Sequence, residues 1–299
     1  MSTAAKQKRS GARLPPSPVW LQSGFHAYLG RYLRKHFDVV GWDCGGANAM
    51  QLSQRCDGNP LVVYTNHPSW WDPIVAHLIN AKLFAPRQFR APIDADALEQ
   101  YRVFKKLGFF GIQTGTRRGA ADFISTGSSV LSSTKDVLWI TPEGRFADPR
   151  DHSATLMPGL SHLCAKASDG NAIPMAMEYA FWDERLPVCV VRFGEPMSLA
   201  SSSDKPHWRV RLDEQLRTTQ VQLAETIIKR DLAPIIPIIK GHEGGGWFYD
   251  SFRRLRAKLS GRSFVARHGS AIESGLSETT AIKDYSSDDN VSDDPAVTR

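Results

Sequence analysis

Four short apolar runs, each bounded by turn residues and separated by longer helical patterns, constrain this chain more than anything else in it. They cover residues 61–65 (LVVYT), 137–141 (VLWIT), 172–177 (AIPMAM) and 188–193 (VCVVRF). Such runs read as strands covered on both faces, because a half-exposed strand would alternate polar and apolar residues. Between and after them, residues 73–83, 119–132, 159–168 and 207–229 carry helical spacing. In the second of these, Ala120, Ala121, Phe123, Ile124, Val130 and Leu131 fall on or near one face. Strand and helix alternate, which predicts an α/β fold with a mostly parallel central sheet flanked by helices.

With 41% hydrophobic residues in 299, the chain has enough apolar material for a sizeable core. A single domain is expected over residues 18–240, with a short, basic, proline-rich disordered start over 1–17. Residues 269–299 hold seven acids against Lys283 and Arg299, and they read as a disordered acidic tail. That tail carries a formal net of −5, which leaves the first 268 residues at +11. So basic a body suits an anionic partner: a membrane surface, a nucleic acid or a phosphorylated substrate. The early Lys6, Lys8, Arg9 and Arg13 are followed by no apolar segment, so no secretory signal is expected. No apolar run approaches the roughly 20 residues of a spanning helix. Cys44, Cys56, Cys164 and Cys189 lack metal-ligand spacing and read as reduced packing residues.

Two segments look amphipathic and basic. Residues 19–37 space Trp20, Leu21, Phe25, Tyr28, Leu29, Tyr32, Leu33 and Phe37 at intervals near three and four, with Arg31, Arg34 and Lys35 between them. Residues 247–259, in a basic extension over 241–268, repeat that recipe after a run of three glycines. They read either as helices packed through their aromatic face or as interfacial helices on an anionic membrane.

The sharpest chemical signal is Asn66-His67-Pro68-Ser69-Trp70-Trp71-Asp72-Pro73, where the first strand ends and a helix begins. Ligands of α/β folds bind outside strand C-termini. A carboxylate five residues after a histidine can fold back to accept from Nδ1, leaving Nε2 as a general base. The alternative is a turn in which Asp72 caps the next helix and His67 satisfies a backbone group. No Gly-x-Ser-x-Gly elbow accompanies the pair, so the hydroxyl to be activated belongs to the substrate. A second constellation, Pro142-Glu143-Gly144-Arg145, follows the 137–141 strand. It offers either a tight turn with a surface ion pair or an acceptor and a forked cation for a phosphate. No zinc-type ligand spacing and no RNA- or DNA-binding motif is present, which argues against a metal hydrolase and a nucleic-acid binder.

Together these motifs resemble the glycerophospholipid acyltransferase family, the 1-acylglycerol-3-phosphate and lysophospholipid O-acyltransferases. The family's first motif is Asn-His-x4-Asp and its third Pro-Glu-Gly-(Thr)-Arg. The likeness spans roughly residues 55–200 and includes Ala172-Ile173-Pro174-Met175-Ala176 as the proline-bearing fourth motif. In the second motif, Gln113 stands where the family carries arginine, and Arg117 and Arg118 follow it; Arg145 comes one place early. The short Pro-Glu-Gly-Arg form also resembles lysophosphatidylethanolamine-acylating enzymes. The resemblance implies acyl transfer from acyl-CoA or acyl-carrier protein to a lysophospholipid hydroxyl, with no further cofactor, no metal and no acyl-enzyme. It implies His67 as base, Asp72 as its orienter, and Arg145 with Arg117 or Arg118 on phosphate. Glu143, Gly144 and Gln113 complete the implied acceptor site. Peripheral attachment to the cytoplasmic side of a membrane follows from the lipid substrate. A non-phosphate lipid acceptor, or a membrane-binding module without catalysis, is the competing expectation.

Overall fold

The computed structural model describes residues 14, 17–200 and 204–241. All lie in the first of two units into which the chain divides, Met1–His242. The expectations for the basic extension beyond residue 241, for the acidic tail and for most of residues 1–17 fall outside them.

In chain order the elements are α1 (Val19–His36), β1 (Val39–Asp43), α2 (Ala49–Arg55), β2 (Leu61–Thr65), α3 (Asp72–Leu83), β3 (Gln88–Asp94), α4 (Ala95–Gln100) and α5 (Val103–Lys106). There follow β4 (Phe109–Ile112), α6 (Arg117–Val130), β5 (Asp136–Ile140), α7 (Gly159–Lys166), β6 (Asn171–Ala180), β7 (Val188–Phe193), β8 (Met197–Ser198), α8 (Lys205–Lys229) and β9 (Ile235–Lys240). The strands form one sheet in the order β4-β3-β5-β2-β6-β7-β1-β9, with β8 against β6. The pairs β4–β3, β3–β5, β5–β2, β2–β6 and β7–β1 are parallel; β6–β7, β6–β8 and β1–β9 are antiparallel. This is the mostly parallel α/β sheet that the sequence predicts.

Central position explains the apolar runs. β2 lies between β5 and β6 with all five residues buried, so both of its faces need apolar side chains. Each such Leu or Val contributes about 1.5–3 kcal/mol relative to an exposed one. Tyr64 is buried with them and its hydroxyl donates to the Leu212 carbonyl at 3.1 Å. β6 admits Pro174 because that residue falls between the β8 pairing, which ends at Ala172, and the β7 pairing, which begins at Met175. No ladder hydrogen bond is lost there.

Helix α1 packs on the domain through Leu29 and Leu33, with Phe37 buried immediately after it, whereas Trp20 and Tyr28 of the expected aromatic face do not join them. His26 and the buried His77 of α3 fasten it further, their Nε2 and Nδ1 being 3.1 Å apart. His77 Nε2 faces the Leu107 carbonyl at 3.1 Å and must donate to it, so Nδ1 accepts from His26. Burial pushes the His77 pKa down to about 4, which keeps that acceptor available. The opposite side of α1 stays in solvent, with Trp20 75% and Tyr28 55% exposed beside Arg31, Arg34 and Lys35.

Candidate active site

β2 ends at Thr65, and the chain does not leave the sheet at once. The buried Asn66 side chain takes over the ladder: its Nδ2 donates to the Met177 carbonyl at 2.9 Å and its Oδ1 accepts the Met177 N–H at 2.8 Å. His67 is thereby fixed at the C-terminal edge of the sheet's centre. The chain then turns through Pro68 and Ser69 into α3, whose first residue is Asp72. Asp72 Oδ2 lies 2.6 Å from His67 Nδ1 and also accepts the Ser69 N–H at 3.1 Å, so the proton of the imidazole sits on Nδ1. The other oxygen, Oδ1, accepts the Tyr179 hydroxyl at 2.7 Å. Burial first, then the neighbouring Cys189 and Asp72, raises the Tyr179 pKa well above that of an ordinary phenol, so it stays a donor. Asp72 does not cap α3, since its carboxylate bonds backward to Ser69 and across to His67 and Tyr179. Among the described residues His67 Nε2 has no hydrogen-bond partner, and its side chain is 18% exposed.

The β5 end meets this loop directly. Glu143 Oε2 accepts the His67 N–H at 3.4 Å, and the Ala147 N–H donates to the His67 carbonyl at 3.1 Å. Between these tethers the chain reverses at Gly144, whose φ is +65°, and a Cβ there would lie 2.3 Å from the Met157 sulfur. The left-handed φ is what favours glycine at this turn. The turn delivers Phe146 onto His67, with ring centroids 4.3 Å apart and planes inclined by 38°. The resemblance implied Glu143 as part of the acceptor site, and the structure gives it other partners. Its buried carboxylate is engaged on both oxygens, because Oε1 accepts Arg217 Nη1 from α8 at 2.7 Å. Arg217 donates in addition to Gln220 Oε1 and to the Ala154 carbonyl. Glu143 therefore ties α8 to the histidine loop.

Residues 47–178 match the family model of the acyltransferases. They form an acyltransferase domain. No curated protein matches the chain significantly in sequence. Among solved structures it is similar to the 1-acyl-sn-glycerophosphate (LPA) acyltransferase PlsC from Thermotoga maritima, at 13% identity and a TM-score of 0.47. The alignment covers 68% of this chain and 79% of that one.

The remaining predicted residues of this acyltransferase domain lie along the same sheet edge. Gln113 follows β4, three strands from β2, or about 14 Å at ordinary strand spacing. The turn after Gln113 doubles back: Thr116 Oγ1 donates to the Gln113 carbonyl at 3.0 Å and accepts the Gly119 N–H at 2.9 Å, capping α6. Arg117 and Arg118, the first residues of α6, thus stand beside Gln113 with exposed side chains; Arg118 Nε lies 3.8 Å from Asp122. Arg145 is exposed too, 3.7 Å from Asp151. Cations stand on this edge, and none of the three is locked in a buried pair. Tyr179 and Arg217 were absent from the sequence expectations. A tyrosine near the end of an apolar run hints at the first, whereas one arginine on a polar helix gives no signal for the second. Among the described residues, no group of three or more His, Cys, Asp or Glu side chains is arranged to hold a metal ion.

Proposed function

We propose that this acyltransferase moves a fatty acyl group from acyl-CoA or acyl-carrier protein to the hydroxyl of a lysophospholipid such as 1-acylglycerol-3-phosphate. The carrying observation is the 2.6 Å His67–Asp72 contact with Nε2 left unpartnered at the sheet's C-terminal edge. His67 Nε2 takes the acceptor's hydroxyl proton as that oxygen attacks the thioester carbonyl. The tetrahedral intermediate collapses, the C–S bond breaks, and the imidazolium returns the proton to the leaving thiolate. Asp72 holds the tautomer and Tyr179 holds Asp72. Arg145, Arg117 and Arg118 attract the acceptor's phosphate, as forked cations do.

The test is a lipid-acceptor panel with purified protein and palmitoyl-CoA, reading thiol release. Release that depends on lysophosphatidate or lysophosphatidylethanolamine is expected. Gln113→Arg should raise kcat/KM for the dianionic lysophosphatidate over lysophosphatidylethanolamine by about tenfold, the worth of one charge-assisted hydrogen bond. A panel in which only a neutral lipid alcohol turns over would transfer the reading to that acceptor. Lipid binding with no turnover at all would leave a membrane module.

Both substrates partition into bilayers, and no described helix is long and apolar enough to cross one. Docking is assigned to the exposed face of α1, where Trp20 and Tyr28 meet Arg31, Arg34 and Lys35 on the anionic cytoplasmic leaflet. The second amphipathic segment, residues 247–259, lies outside the described residues. Flotation with phosphatidylserine-containing liposomes is expected to weaken with salt, at roughly 1 kcal/mol per basic residue near the surface. Replacing Trp20 and Tyr28 by serine should weaken it further; undiminished flotation of that variant would remove α1 from the docking surface.

A further inference from the structure

Phe146 is the least expected neighbour of His67. A phenylalanine on a loop normally either turns into the core or stands alone in solvent. This ring does neither: it is 58% exposed, yet one face lies against the imidazole at 4.3 Å. The placement is built, because groups on each side of Phe146, the Glu143 side chain before it and the Ala147 backbone after it, bond to the same residue. Glu143 receives the His67 N–H, and Ala147 donates to the His67 carbonyl. The Gly144 turn reverses the chain between them. Other large apolar side chains on these two loops are also left in solvent, namely Trp70, stacked on Trp71 at 4.3 Å, and Met157. Phe146 thus forms an apolar rim against one side of the base, and the other exposed apolar side chains lie on the same two loops.

That rim bears on a choice the chemistry itself does not make. A base that can activate a lipid hydroxyl can activate water by the same step. In transfer, the alcohol's O–H proton passes to Nε2, the oxygen bonds to the acyl carbon and the thiol leaves as an ester forms. In hydrolysis a water proton passes to Nε2, the water oxygen bonds to the acyl carbon, and a fatty acid leaves with the thiol. Water is present at far higher concentration, so selectivity needs a surface that a lipid covers and water does not wet. We propose that Phe146 is the acceptor-selecting residue of this enzyme: its ring walls the imidazole against bulk water, so that Nε2 is served by a lipid hydroxyl. The inference rests on the acyl-transfer reading above.

The experiment follows thiol release and ester formation in parallel, with palmitoyl-CoA, in the presence and absence of lysophosphatidate and of lysophosphatidylethanolamine. In the wild-type protein the two rates are expected to match, with little thiol released when no acceptor is added. Phe146→Ala should raise acceptor-independent thiol release relative to ester formation by about tenfold. Phe146→Leu, which keeps apolar bulk, should bring the ratio back towards wild type, and His67→Ala in the Phe146→Ala background should abolish the hydrolysis. An unchanged ratio in Phe146→Ala, with transfer and hydrolysis falling together, would make the ring a mere support for the loop and overturn the inference. Hydrolysis that survives loss of His67 would overturn it as well. A wild-type protein with acceptor-dependent transfer but an unmoved ratio loses the Phe146 inference alone; one with no acceptor-dependent release loses the acyl-transfer reading and Phe146 with it.

Discussion

His67→Ala lowers kcat by at least about 100-fold, the lower range for loss of a general base, while its melting temperature stays near that of the wild type. The asymmetry follows from how His67 is held. Its links to the neighbouring loop run through its backbone, N–H to Glu143 and carbonyl to Ala147, and alanine retains both. What alanine removes is a partly exposed ring whose single hydrogen bond goes to Asp72. Asp72→Asn is the harsher change for the fold. Asp72 is buried and accepts from His67, Ser69 and Tyr179, and an amide has one acceptor oxygen for these donors. Its kcat should fall with that of His67→Ala, since an amide N–H facing Nδ1 favours the wrong tautomer. The check is thiol release with acyl-CoA and lysophospholipid, set beside thermal melting. A His67→Ala protein that keeps most of its activity, or one that does not fold, returns this histidine to an ordinary structural role.

Legibility in the sequence tracked how locally each feature was determined. β2 and β7 were readable to the residue because central strands need continuous apolar runs. β3 was missed because Arg90 and Pro92 break its pattern; Arg90 is buried in a 2.7 Å ion pair with Asp136, a partner that only the tertiary fold supplies. β9 was missed for a related reason: it lies at the sheet's edge, where Pro237 is tolerated and part of the strand stays wet. In the site, the His67–Asp72 pair was legible because five residues and one turn fix it. Glu143 was legible as part of a motif but was given the wrong surroundings. Its partner Arg217 stands 74 positions further along the chain, on a helix whose exposed polar residues outnumber its buried ones.

That long-range partner carries the other large effect. Arg217→Met is expected to destabilise the protein by about 3 kcal/mol, because it strands the buried Glu143 carboxylate without its cation. A methionine of similar length fills the volume but gives no donor to Glu143, to the Ala154 carbonyl or to Gln220. The loss should reach catalysis as well, because an unpaired carboxylate turns towards water and releases the His67 N–H. A fall in kcat of about tenfold at little-changed KM is expected, this being the pattern when a reacting group, not a substrate contact, is displaced. Adding Glu143→Gln to Arg217→Met removes the buried charge and should recover part of the melting temperature. It should leave kcat low, since the double variant has no ion pair to hold the loop. Arg217→Lys, which restores the charge without the fork, should fall between wild type and Arg217→Met in both readouts. If Arg217→Met melts early yet keeps the kcat and pH profile of the wild type, the pair serves stability alone and α8 has no hold on the catalytic loop.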